Sequence, residues 1–294
     1  MRAPAALALA GAIVAISCAA ILIRWSETPP LALAGWRLAV AALVQAPLAV
    51  TLEGAALPAG LGAHRGSLLC AGLLLGAHFG LWTVSLGLTS VASSVVFVSA
   101  HPLLVAVGER WWLGASLGRS LLVAVACSLA GALLLGWHDL RLGGEALAGD
   151  VLAFGGAVAL AGYLLLVRRV RARAGALALS TALYAVAAGA LLLAAVSAGE
   201  RVAPAAGREW LVIAALALVS TLGGHTVFTW ALRYLPATAV AIAFVGEPAV
   251  ASLLAWALLG EALAAPTVLG GALTLAGVYV AARAGAAGSQ PRSV

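Results

Sequence analysis

Charge is what this sequence has least of. Only 9% of its 294 residues are charged, where a soluble domain carries about 25%. Lysine and asparagine are absent, and all 16 basic residues are arginine. Genome base composition is the simplest reason for that bias. With 64% hydrophobic residues and mean hydropathy +1.12, the chain cannot cover a folded surface with polar groups. Its solvent must be largely lipid. The net charge of +6 does not indicate a nucleic-acid partner, because the arginines sit in short clusters between apolar runs and not on one basic face.

Cysteine is scarce as well. Cys18, Cys70 and Cys127 all fall in apolar runs, and no C-x-x-C spacing occurs. They read as small core residues, with neither a disulfide nor a metal site implied. The motifs of intramembrane catalysis are missing too. There is no H-E-x-x-H, no G-x-S-x-G inside a span and no pair of mid-membrane acids. His138-Asp139 falls in a loop and reads as solvated. An enzyme is therefore not expected.

What the sequence has in abundance is long apolar runs. A helix crosses a bilayer with roughly 20 apolar residues, and lipid offers its backbone no other partner. Ten runs meet this length: about 5–23, 31–52, 66–88, 90–111, 119–137, 147–167, 176–198, 209–232, 237–259 and 266–284. The first reads as a retained helix, being longer than a signal-peptide core and lacking a small-x-small cleavage site. With the N-terminus inside, eleven arginines lie on the cytoplasmic side and four outside, with Arg37 within a span. Both termini are therefore expected in the cytoplasm. VRRVRARAG, 167–175, is then an inside loop.

The runs repeat. A shift of 147 residues places Arg24 on Arg171, Arg37 on Tyr184, Gly76 on Gly223, His78 on His225 and Phe97 on Phe244. After a one-residue gap, Pro102 falls on Pro248, Gly114 on Gly260 and Gly131 on Gly277. The expected domains are residues 1–146 and 147–294, five spans each. Five is odd, so the second half enters the membrane from the other side. The fold class is thus all-α and polytopic, with ten transmembrane helices in two inverted five-helix repeats related by a pseudo-two-fold axis, a plan of secondary transporters.

Two spans are interrupted. AIAFVGEPAVASLLAW (241–256) holds Glu247 and Pro248; SVVFVSAHPLLVAV (94–107) holds His101 and Pro102. A carboxylate at mid-membrane costs about 3 kcal/mol on insertion scales. Proline leaves the carbonyl four residues earlier, that of Val98 or Phe244, without its helical bond. Such residues should face the bundle interior or a wet cavity, and an interrupted pair at matching positions points to a transport site. The bland alternatives are a kink that shapes packing, a protonated glutamic acid bonded to a neighbouring helix and a neutral core histidine bonded to a carbonyl.

Other candidates flank them. His78, Trp82 and Ser85 share one face of the third run, near the glycine ladder Gly72, Gly76 and Gly80. This spacing fits a pocket wall and a packing seam equally. His225, Thr229 and Trp230 group similarly in the eighth run, where Trp230 also fits an aromatic belt. Arg37, about six residues from the outer end of its run, is expected to snorkel to the interface; an anion site in the outer vestibule is the alternative. Trp25, Trp111, Trp112, Trp137 and Trp210 fall at run ends and read as belt residues.

GEPAVASLLAWALLGEAL (246–263) and LGGALTLAGVYVAAR (269–283), with AHPLLVAVGERWWLGASL (100–117) as a looser copy, resemble the ten-span EamA-type branch of the drug/metabolite transporter superfamily. The likeness covers nearly the whole chain. Within the branch it is most similar to the YddG-type exporters of aromatic and other amino acids. It departs from the four-span drug exporters, which keep a glutamate in their first helix; LALAGAIVAISCAAILI has none. The resemblance implies a carrier in the bacterial inner membrane, exporting amino acids or related metabolites by alternating access. His78, Trp82, His101, Trp230 and Glu247 are the expected substrate-binding residues, and Pro102 and Pro248 the gating positions. No cofactor and no metal are expected. The partners are a small molecule and the bilayer, and the oligomeric state is left open, a monomer included. Another metabolite or a drug is the alternative cargo. A channel is disfavoured because an internal two-fold with proline-broken helices fits a carrier better than a filter built by oligomers.

Overall fold

The computed structural model describes residues 3–53, 65–113, 119–170, 175–205, 207–227 and 246–287. Among them all regular structure is helical. In chain order the helices are α1 (Ala3–Trp25), α2 (Pro30–Glu53), α3 (Arg65–Ser85), α4 (Val91–Val98), α5 (His101–Leu113), α6 (Arg119–Leu142), α7 (Gly144–Val170), α8 (Ala176–Ser197), α9 (Gly207–Ala215), α10 (Gly246–Leu259) and α11 (Ala265–Ala287). A π-helical segment, Leu216–Thr226, continues α9. Five of these stretches are long and apolar enough to span a membrane outright, and five shorter apolar helices occupy the remaining expected positions. The fourth expected run is two helices, α4 and α5, joined at Ser99 and Ala100.

The reason for that break is local. Pro102 has no N–H to offer Val98 O, and the carbonyl instead accepts a bond from His101 Nδ1 at 3.1 Å. Pro102 then falls in the first turn of α5, where a missing N–H costs nothing. Ser90 caps the start of α4 by accepting from Ser93 N at 3.1 Å.

Packing runs between the halves more than within them. α2 lies along α8, α6 along α11, α3 along α7 and α8, and α1 along the π segment and α10. Exchanging each span for the one five further on turns the α3–α7 pair into the π-segment–α1 pair, and the α4–α7 pair into α10–α1. The pairs α2–α8, α6–α11 and α4–α10 map onto themselves. That is the pattern of an inverted two-fold.

Two reciprocal devices follow the same symmetry. A Cβ on Gly131 would lie 2.5 Å from Gly270 O and 2.6 Å from Thr274 N. One on Gly277 would lie 2.6 Å from Ala124 O and 2.8 Å from Ser128 N. Each glycine thus seats the other helix's backbone in the α6–α11 seam. Glu53, at the end of α2, accepts from Leu177 N (3.0 Å) and Ala178 N (2.9 Å) at the start of α8. Glu200, 147 residues later, accepts from Ala32 N (2.9 Å) and Leu31 N (3.4 Å) at the start of α2. Carboxylates satisfy orphan N–H groups and complement the helix dipole at both N-termini.

Two sequence expectations change. Arg37 does not snorkel: it is 1% exposed, because Phe79 and Thr221 hold its guanidinium inside the bundle. Of the three free cysteines, Cys70 is exposed, because its side of α3 faces outward from the bundle, so it is no core residue. Trp25 and Trp210 are partly exposed at helix ends, as belt residues should be.

Candidate functional site

Four helices bring ionisable and aromatic side chains to one small buried cavity. From α3 come His78 and Trp82; from the α4–α5 junction, Ser99 and His101; from the π segment, His225; from α10, Glu247. Ile16 and Ala19 of α1 and Leu160 of α7 close it. Its volume is about 20 Å³, room for roughly one water molecule. A metabolite enters only if the surrounding helices part.

Two of the wall histidines are held by backbone carbonyls. His78 donates from Nδ1 to Gly156 O at 3.0 Å. Gly156 brings α7 against α3 here; a Cβ on it would meet His78 O at 3.4 Å, an ordinary contact. His101 is held by the carbonyl that Pro102 leaves open. The His78 and Trp82 rings are parallel, 6.5 Å apart with 2° between planes. Phe79 meets the edges of His78 (5.0 Å) and His225 (5.4 Å). Ser17 donates to Ile13 O at 2.7 Å and reaches Glu247 O at 3.3 Å, tying α1 to α10 beside the acid.

The structure therefore assembles His78, Trp82, His101 and Glu247 in one wall, with Pro248 in α10 and Pro102 in α5 just behind. Trp230 and Thr229 lie outside the described residues. Ser85 turns away from the cavity, bonding Trp82 O and Ser94 Oγ at 2.7 Å each. The glycine ladder is a packing seam and not a pocket wall. A Cβ on Gly76 would meet Ala187 O of α8 at 3.3 Å, and Gly72 faces Val186.

Sequence reading passed over several residues. Thr221 bridges Arg37 Nε (2.7 Å) and Leu216 O (3.0 Å), a reach of five residues that belongs to the π geometry. Such π segments often mark functional sites, and the Gly-Gly-His at 223–225 was the one local hint. Glu247 is half-buried; the fully buried carboxylates among the described residues are Asp150, within α7, and Glu209, in the first turn of α9. Glu209 Oε2 accepts from Ser26 Oγ, Thr28 Oγ1 and the N–H groups of Glu27 and Thr28, which pins the α1–α2 turn.

At the face opposite the start of α1 lies a larger recess of about 480 Å³, lined by Arg24, Ser26, Thr28, Leu33, Thr83 and Leu86, among others. That volume is in the range of small-molecule sites. Arg24 crosses its rim, donating to Leu86 O (2.6 Å) and pairing with Glu261 (3.0 Å). Glu261 in turn accepts from Val91 N at 2.9 Å, at the start of α4.

An all-helical membrane protein of two inverted repeats, with a small polar cavity walled by helices of both, has the build of a secondary carrier. The chain belongs to the EamA-like transporter family, whose profile matches residues 2–137 and again 147–283. That family consists of transporters. A solved crystal structure of a protein is similar in fold, with TM-score 0.66 at 20% identity, covering 99% of this chain and 100% of that one. No curated protein matches.

Proposed function

We infer that this protein exports small metabolites, amino acids foremost, across the bacterial inner membrane by alternating access. The observation that carries the reading is the convergence of two interrupted helical positions on one buried polar cavity, His101 beside Pro102 from one repeat and Glu247 beside Pro248 from the other. In this reading Glu247, His78 and His101 offer hydrogen bonds to the charged end of a zwitterion. Trp82 offers a flat apolar surface to its side chain; Trp230, the second ring expected there, lies outside the described residues. Pro102 and Pro248 are the points at which the broken helices flex. Preference for aromatic substrates, as in the YddG-type exporters, follows from this tryptophan wall.

The repeats are residues 1–146 and 147–294, and both termini face the cytoplasm. The recess with Arg24 and Glu261 is then the outer vestibule. Rocking of the two sequence halves as bodies fits the packing poorly, since most close helix pairs join one half to the other. The natural units are α3 with α4, α5 and α7, and α1 with the π segment and α10. They meet at the cavity.

Purified protein in liposomes, given a panel of labelled amino acids with and without a pH gradient, tests the reading. Saturable flux of at least one amino acid is expected. Saturable flux confined to compounds outside that class moves the assignment to another metabolite within the same carrier reading. Unsaturable, ohmic flux overturns the carrier.

A further inference from the structure

Arg37 is the one fully buried guanidinium among the described residues, and most of it is unsatisfied. Its Nε donates to Thr221 Oγ1 at 2.7 Å. Its two terminal nitrogens have no hydrogen-bond partner among the described residues. The plane lies over Phe79, 4.6 Å from the ring centre, with Trp82 at 6.0 Å. Trp82 is a wall of the small cavity, and Phe79 meets the edge of His225, another wall. Glu247 also lines the cavity and makes no hydrogen bond to the terminal nitrogens of Arg37.

Burying four N–H donors of a permanent cation without acceptors is costly. The arrangement makes physical sense as half of a site. The orientation is set by Thr221 and the aromatic faces, and the buried, unpaired fork, one ring behind the cavity wall at Trp82, matches a carboxylate. The carboxyl group of Glu247, on the same cavity, is the group available to an ammonium. Under the two-fold, Tyr184 occupies the position equivalent to Arg37. Only one of the two equivalent places is cationic, so the two-fold sets one cation, and not two, beside the cavity.

We propose that Arg37 binds the substrate's carboxylate through its two terminal nitrogens while Glu247 faces its ammonium, so that the transport site selects zwitterionic amino acids. This rests on the carrier reading above and adds the group that reads the acid end. Arg37 reached from α2 is then a substrate-binding residue, with Thr221 positioning it.

The test uses the full-length protein in detergent and reads thermal stabilisation across three matched sets: phenylalanine, leucine and threonine; their carboxamides; and their deaminated acids. A lost charge-assisted bidentate pair should weaken binding roughly 10- to 150-fold. The wild type should therefore prefer each amino acid over its carboxamide by that factor. R37Q should bind acid and amide alike, and R37K should keep part of the preference. Equal binding of acid and amide by the wild type overturns the proposal, as does stabilisation by amides or amines with none by any carboxylate, or an R37Q variant that keeps the preference. If R37Q fails to fold, the wild-type series alone decides. Flux in liposomes separates the two readings. A carboxylate preference without transport upholds Arg37 and overturns the carrier. Transport of acids and amides at equal rates upholds the carrier and overturns Arg37.

Discussion

Trp82 is a packed side chain that also lines the cavity, and the proposed function makes it a binding surface. It is buried, parallel to His78 and close to Arg37, and its indole N–H has no partner among the described residues. An aromatic or cation–π contact to a ligand contributes about 0.5–2 kcal/mol. Trp82→Ala should therefore raise the apparent KM for phenylalanine roughly 2- to 30-fold and that for threonine less. Equal loss for both substrates would assign the ring to packing. Glu247 carries a separate expectation. Wild-type flux should respond to an imposed pH gradient, and Glu247→Gln should lose that response while keeping substrate exchange. A wild-type flux indifferent to the gradient would leave the acid to substrate binding alone.

At the scale of elements the repeat becomes a set of reciprocal contacts. Ala on Gly131 or Gly277 would press a methyl against the backbone of the partner helix at 2.8 Å or less. Overpacking of that kind costs typically about 1–3 kcal/mol. Both variants should lower Tm in detergent by similar amounts. Gly189→Ala is the control, since nothing lies within 4 Å of its Cβ position; it should leave Tm unchanged or raise it slightly. Glu53→Ala and Glu200→Ala each remove a helix cap, worth about 0.5–2 kcal/mol. The two caps sit at opposite ends of helices about 30 Å long, so the double variant should lose close to the sum. A double loss well short of the sum would mean that the caps act through one shared opening of the α2–α8 pair.

For the whole molecule the question is which parts move. Thr89 and Gly149 adjoin within the α3–α4–α5–α7 unit, whereas Val91 and Glu261 join that unit to the one holding α1 and α10. In a background free of native cysteine, oxidising a T89C/G149C pair should leave flux intact, and oxidising V91C/E261C should stop it until reduction. Flux that survives the second cross-link would rule out these units as the moving bodies. Orientation has its own check. Cysteines at exposed Arg65 and Glu145 should be labelled from opposite sides of the membrane, position 65 from the cytoplasm.

Much of this was legible without coordinates. Ten apolar runs, their repeat at 147 residues and the two ionisable-proline pairs all follow from one constraint: lipid satisfies no polar group, so every charge or break within a run must have a reason. That logic singled out His101 and Glu247 correctly as neighbours of a common interior. It failed for Arg37, because a run's linear pattern measures depth along the membrane normal and not direction around the helix. Six residues from the end, an arginine can reach the interface or turn inward. The choice rests on what lies beside it, here Phe79, Trp82 and Thr221 from two other spans. The same holds for the glycine ladder of α3, whose spacing suits a pocket or a seam until Ala187 and Val186 of α8 are seen against it. Span number, repeat and the sites of interruption were set by the sequence alone. Which face of each helix turns toward which neighbour was decided only by tertiary packing, since lipid and protein interior are equally apolar and hydrophobicity cannot tell them apart.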